Sequence, residues 1–180
     1  MLDNIKIRTL TLADQDAAVA MINTAAQWYQ EFLPAEEYHD PEMTPGEWQT
    51  EAKRLTWYGA FQAEVSAEAP TEVLLGVMGL EYVKDVALLR HAYILPEQQR
   101  RGVSSRLREH LENQIRGVGR IIVGTYSGNY KARAALQGAG YRLCADSEAV
   151  LRAYYAIPKD RLQSSVTYEK VIEEPSLRPL

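Results

Sequence analysis

The residues best suited to chemistry lie in one stretch, Leu95-Pro96-Glu97-Gln98-Gln99-Arg100-Arg101-Gly102-Val103-Ser104-Ser105-Arg106-Leu107, where a strand ends, a basic turn follows and a helix begins. Such a turn suits a phosphate. Gly102 permits close backbone approach, the first N–H groups of a helix have no partner within it, and the helix dipole favours an anion there. Arg100, Arg101, Arg106 and Arg108 add mobile positive charge. By itself a basic helix start is as readily a solvated cap as a ligand site. A second group is Glu81 with Arg90 and His91, in a run Leu89-Arg90-His91-Ala92-Tyr93 that is polar where a buried strand is usually apolar. Histidine ordinarily titrates near neutrality, so His91 is either a base or a hydrogen-bonded core residue. Glu81 either accepts a proton, directly or through water, or pairs with an arginine. Arg90 and His91 are neighbours on a strand and face opposite sides unless a bulge intervenes. Arg90 then binds a substrate carboxylate or pairs with Glu81.

The elements that hold these residues follow from periodicity. Residues 4–10 alternate as a half-buried strand, and Thr11 starts a helix carrying Ala17, Ala18, Met21, Ile22 and Ala25 at helical spacing. Pro34, Pro41 and Pro45 make residues 28–44 irregular, and a short helix is expected over 46–55. Strands over 57–65, 73–83 and 86–95 form an antiparallel meander, with a loop at 66–72 and a tight turn at Lys84-Asp85. Val103, Leu107, Leu111 and Ile115 mark an amphipathic helix over 102–116, and residues 121–126 form a buried strand. A strand, a helix and a strand in that order need a crossover, so the fourth and fifth strands are expected to be parallel. Asn129 caps a helix ending near Gly138-Ala139-Gly140; a short strand at 141–144, a small helix from Asp146 or Ser147 and a strand at 164–172 complete the chain. The expected domain is a single one over 1–173, followed by a loose tail at 174–180.

Composition bounds the function. The chain has 180 residues, 46% hydrophobic and 24% charged, which fits an ordinary globular domain with no membrane span. A single cysteine, Cys144, cannot form an internal bridge; it reads as a small buried hydrophobe, and the chain as cytoplasmic. The net charge of −4 argues against nucleic acid as a partner, and a membrane partner is not expected. Its distribution is uneven. Residues 9–52 hold nine Asp or Glu and no Lys or Arg, whereas 90–108 set five arginines against Glu97. An acidic wall concentrates cations, and a basic loop holds anions.

The basic stretch resembles the acetyl-CoA loop of the GNAT superfamily of N-acetyltransferases. The pattern there is Gln or Arg, two residues, Gly, one residue, then Gly or Ala; here it is Gln99-Arg100-Arg101-Gly102-Val103, with Ser104 in the last slot. Asn129, Ala132, Gly140 and Tyr141 are similar to the family's second motif, and the order of elements extends the resemblance over nearly the whole chain. The resemblance implies an α+β fold. It has a mixed, mostly antiparallel sheet of six to seven strands, the fourth and fifth parallel and splayed, with helices on both faces.

The resemblance also implies direct attack of an amine on the thioester of acetyl-CoA, the acyl donor, with no metal and no acyl-enzyme. Ile94 and Leu95 would bond the pantetheine arm and the Ile94 N–H would meet the oxyanion. The N–H groups from Arg100 through Gly102, Val103, Ser104 and Ser105 would hold the pyrophosphate, and Asn129 and Arg133 would line the cofactor. The proton acceptor would be Glu81 or His91. The family's tyrosine donor to the thiolate falls at Leu136 here, so that the donor is missing, moved to Tyr126, Tyr130 or Tyr93, or replaced by water. The acceptor would be a cationic amine of a small molecule, a lysine or an N-terminus, met by the acidic segment with Trp28 and Tyr29. A homodimer is left open. The alternative is an acyl-CoA-binding sensor or interaction module without turnover.

Overall fold

The computed structural model describes residues 5–65, 70–157 and 162–172. Seven strands form one mixed sheet: β1 (Ile5–Thr9), β2 (Thr56–Val65), β3 (Pro70–Val83), β4 (Val86–Ile94), β5 (Arg120–Tyr126), β6 (Arg142–Leu143) and β7 (Ser165–Val171). Their order in the sheet is β1-β2-β3-β4-β5-β7-β6. The β4–β5 pair is parallel and β1–β2, β2–β3, β5–β7 and β6–β7 are antiparallel. Among the described residues five α-helices accompany them, α1 (Gln15–Ala26), α2 (Pro45–Glu51), α3 (Val103–Gln114), α4 (Tyr130–Gly138) and α5 (Ser147–Tyr154). Part of the loop expected at 66–72 and the tail expected at 174–180 lie outside the described residues. Among the described residues no helix is long and apolar enough to cross a membrane.

Two compact units divide the chain, 1–81 with 90–114 and 82–89 with 115–180, so each takes part of β3 and part of β4. In the first, α1 buries Ala18, Met21, Ile22 and Ala25 of the stripe expected from the sequence, with Val19 and Ala26 added and Ala17 exposed, and α3 buries Val103, Leu107 and Leu111. A single-turn 3-10 helix at Leu12–Asp14 precedes α1, with the Asp14 carboxylate accepting the Thr11 N–H at 2.8 Å. In the second, Val86, Leu88 and Ile122 are fully buried against Val83, Val150, Tyr154 and Tyr155. Each such side chain contributes about 1.5–3 kcal/mol by leaving water.

Three local features set up the site. Lys84, at φ +53, closes the β3–β4 hairpin in two residues, as the sequence suggested, because positive φ matches the strand twist. Gly76 on β3 admits β4 closely: a Cβ there would meet the Ile94 side chain and lie 3.0 Å from the Tyr93 carbonyl. His91, inside β4, has φ +52, a left-handed conformation that an extended strand does not contain.

Candidate active site

The loop after β4 is built to leave donors exposed. Leu95 is tied to β3 by its N–H to the Leu75 carbonyl at 3.1 Å, and a 3-10 turn over Pro96–Gln98 ends at Gln99. Arg100 and Gly102 both take positive φ, +61 and +83. These two reversals swing the chain into α3, whose first intrahelical bond is Arg106 N–H to Gly102 O at 3.0 Å. The N–H groups just before it have no helical acceptor. Arg100, Arg101, Ser104 and Ser105 are exposed, whereas Val103 is buried and anchors the helix start. Arg101 donates to Gln98 Oε1 at 2.9 Å. The residues predicted from Ile94 to Ser105 run from the last residue of β4 through the 3-10 turn and Gln99–Gly102 into the first turn of α3.

The charged group is tighter than the sequence implied. Thr44 caps α2, Trp48 is buried from the same helix, and three residues on Glu51 lies on that face. Trp48 stacks on Trp57 of β2 at 5.9 Å and 8°, and Trp57 lies 5.2 Å from the His91 ring. This aromatic stack brings Glu51 to His91, whose Nε2 is 2.8 Å from Glu51 Oε2. Arg54 donates to both Glu51 oxygens at 2.6 and 2.7 Å, and Arg90 Nη2 is 4.0 Å from Oε2. Arg90 also holds Glu81 at 2.7 Å, and Arg54 reaches Glu81 at 3.4 Å. The alternation expected of Arg90 and His91 therefore fails. The left-handed backbone at His91 shifts the phase of β4, and both side chains reach Glu51.

Electrostatics follow from these contacts. Burial alone would raise the Glu51 carboxyl, but hydrogen bonds from His91 and Arg54 and the charge of Arg90 outweigh it and hold the pKa at about 2 instead of 4.5. The stability this carboxylate contributes is complete above pH 4.5 and is lost as pH falls toward 2. We expect the urea midpoint of the wild type to drop more steeply across that window than that of Glu51→Gln. Parallel curves would show that these partners add nothing. Glu81, buried between two arginines, has the ion-paired environment weighed above, with both partners of its carboxylate drawn from its own unit. Arg90 pairs with Glu81, the second of its two expected roles.

Beside this cluster the irregular acidic segment is pinned to α1, since Asn23 exchanges hydrogen bonds with the Met43 backbone at 2.8 and 2.9 Å. Trp28 and Phe32 meet edge to face at 4.8 Å, Tyr29 lies 6.2 Å from Tyr93, and Tyr93 Oη donates to Glu42 at 2.9 Å. Trp28 is half-buried and Tyr29 buried.

The second unit carries the remaining predicted residues. Asn129 is buried and accepts the Ala132 N–H at 3.1 Å, which makes it the cap of α4. Arg133 donates to Tyr168 Oη at 3.0 Å and to the Ser127 carbonyl at 2.8 Å, so its guanidinium is engaged by its own unit. Tyr126 ends β5, pairing with Ser165. Leu136 packs in the interior, and the Cys144 thiol is raised by burial, in keeping with a structural role for both. The β4–β5 ladder covers only Ala87–Leu89 against Ile121–Val123. One residue past its end, the Gly124 N–H donates to Tyr155 Oη at 2.9 Å, and a Cβ on Gly124 would lie 3.3 Å from that ring.

Glu51 and Tyr155 escaped the sequence reading. Glu51 was one of nine acidic residues in an unpaired run, and only its i+3 spacing from Trp48 hinted that it faces inward. Tyr155 follows a helix with no motif around it.

The chain thus combines a mixed sheet, a parallel β4–β5 pair and a glycine turn leading from β4 into α3. The model of the acetyltransferase (GNAT) family matches residues 22–141, and the chain belongs to that family. Family and fold together support acyl-CoA-dependent acetyl transfer. The fold is shared with the ribosomal-protein-S18-alanine N-acetyltransferase of Escherichia coli at TM-score 0.64 and 16% identity, covering 98% of this chain and 99% of that one. It is shared with the PaiA N-acetyltransferase of Thermoplasma acidophilum, solved with coenzyme A, at 0.62 and 14%, covering 93% and 99%. An acetyltransferase of Thermus thermophilus aligns at 0.65 and 18%, covering 94% and 97%. No curated protein matches in sequence.

Proposed function

We propose that this protein transfers the acetyl group of acetyl-CoA to a primary amine of a cationic acceptor, a small molecule or a lysine or N-terminal amine. The observation that carries the proposal is the loop in which Arg100 and Gly102, both at positive φ, lead into the open N-terminus of α3. That turn offers backbone N–H groups and the helix dipole to a pyrophosphate, with Arg100 and Arg101 exposed beside it. Ile94 and Leu95, just upstream, are the backbone positions for the pantetheine arm and the oxyanion.

His91 is the proton acceptor of choice. It takes one proton from the ammonium, and the freed amine forms a C–N bond with the carbonyl carbon. Collapse of the tetrahedral adduct breaks the C–S bond, and the coenzyme A thiolate leaves with the amine's second proton. The acidic segment, with Glu42 on Tyr93 and the aromatic rings of Trp28 and Tyr29, suits an ammonium.

The test is thiol release from acetyl-CoA against a panel of polyamines, aminoglycosides, lysine peptides and peptides with free N-termini. We expect release that depends on the added amine and is faster with polycations than with neutral or anionic amines. A second reading has one observation in its favour: Leu136 is packed inside, where the family resemblance places a tyrosine. A sensor of that kind would be stabilised thermally by acetyl-CoA yet release no thiol with any amine.

A further inference from the structure

We propose that Glu51 is a positioning residue that fixes the tautomer of His91, so that Nδ1 is the nitrogen that takes the proton from the acceptor amine. The inference rests on the transferase reading above and adds to it a group from α2 that no motif marks.

A neutral imidazole carries one N–H and one bare nitrogen, whereas an ionised carboxylate only accepts. Glu51 Oε2 lies 2.8 Å from Nε2, so Nε2 must bear the hydrogen and Nδ1 the lone pair. Glu51 is itself held still. Arg54 donates to both of its oxygens and Arg90 stands 4.0 Å from Oε2, which keeps the carboxylate ionised and its orientation single. The ring is held too, by the Trp57 face at 5.2 Å and by a backbone turned left-handed at φ +52. Among the described residues Nδ1 has no protein partner, and the His91 side chain is 20% exposed.

The groups facing His91 are therefore Glu51 of α2, Arg54 just after it, Trp57 of β2 and Arg90 of β4, with Glu81 of β3 behind the arginines. When Nδ1 takes a proton, the N–H bond of the ammonium breaks and its electron pair stays on the amine for attack. Glu51 then balances the new positive charge across the ring.

The experiment reads the tautomer directly. The protein has three histidines, so 15N-histidine labelling gives few imidazole signals, and His91→Asn assigns the one of interest. Above the imidazole titration, wild-type His91 should show a pyrrole-type Nε2 and a pyridine-type Nδ1. Glu51→Ala should scramble that ratio and lower kcat by about 10- to 100-fold, with KM for both substrates within about twofold. Glu51→Gln, whose amide oxygen still accepts from Nε2, should keep the tautomer and most of kcat, which separates positioning from general loss of fold. A wild-type proton on Nδ1, or a ratio unmoved in Glu51→Ala, overturns the role of Glu51. A scrambled ratio with unchanged kcat overturns the proposal in a different place, by removing His91 as the proton acceptor.

Discussion

Gly102→Asp is expected to weaken acetyl-CoA binding by about 100-fold while leaving the chain folded. A Cβ at Gly102 would touch nothing within 4 Å, so the free protein has room for the side chain. The backbone at φ +83 is the only intrinsic obstacle, worth about 1 kcal/mol for an ordinary L-residue and less for aspartate. The larger effect is electrostatic, because a carboxylate would stand where, on the proposed reading, the α3 dipole and the first N–H groups of the helix would receive phosphate. Losing charge-assisted hydrogen bonds of about 1.5–3 kcal/mol is enough for the factor stated. Gly102→Ala isolates the backbone component and should cost about fivefold. Calorimetric titration with coenzyme A and a thermal melt of each variant measure both quantities. Binding by Gly102→Asp at wild-type strength would place the phosphates elsewhere.

The second large effect is on turnover. His91→Asn should lower kcat by about 100-fold or more, the range for a removed general base, with acetyl-CoA affinity little changed. Asparagine is the informative replacement because it tolerates the left-handed backbone at this position, whereas alanine would add strain to the loss of the ring. The pH dependence that an imidazole base gives to the rate should disappear with it. Glu81→Gln is the counterpart. It removes the charge that Arg90 meets at 2.7 Å and Arg54 at 3.4 Å, leaving both arginines with Glu51, so it should lower stability more than turnover. If instead it stays folded and loses as much kcat as His91→Asn, the proton acceptor is Glu81.

Much of this was legible in the sequence because it depends on local chemistry. Weak alternation over 57–65 and the four-residue spacing of Val103, Leu107 and Leu111 mark a strand and a helix, and the observed elements follow them within a few residues. Asn129 as a helix cap and the turn at Lys84-Asp85 are equally local. The loop from Gln99 to Ser105 announces itself through one glycine among arginines. What stayed hidden depends on the backbone or on distant packing. A histidine with positive φ in mid-strand carries no signature, so Arg90 and His91 looked like opposite-facing neighbours. The helix expected over 46–55 ends at Glu51, and residues 52–54 continue as a turn from which Arg54 binds that carboxylate and Glu81. The acidic run, taken whole, concealed that Glu51 and Glu42 each have a specific partner on β4.

The hydroxyl of Tyr155 on the Gly124 N–H has a consequence for how the protein survives without a ligand. A strand whose partner stops short presents bare amides, and bare amides on a strand invite any other strand to pair with them, including one from a second copy of the chain. Here a phenol from outside the sheet answers the first amide past the end of the ladder. That position of β5 need not be completed by a ligand or by a stray chain in order to be satisfied. Tyr155→Phe should accordingly show its defect less in the folded monomer than in a tendency to self-associate on storage, visible by light scattering.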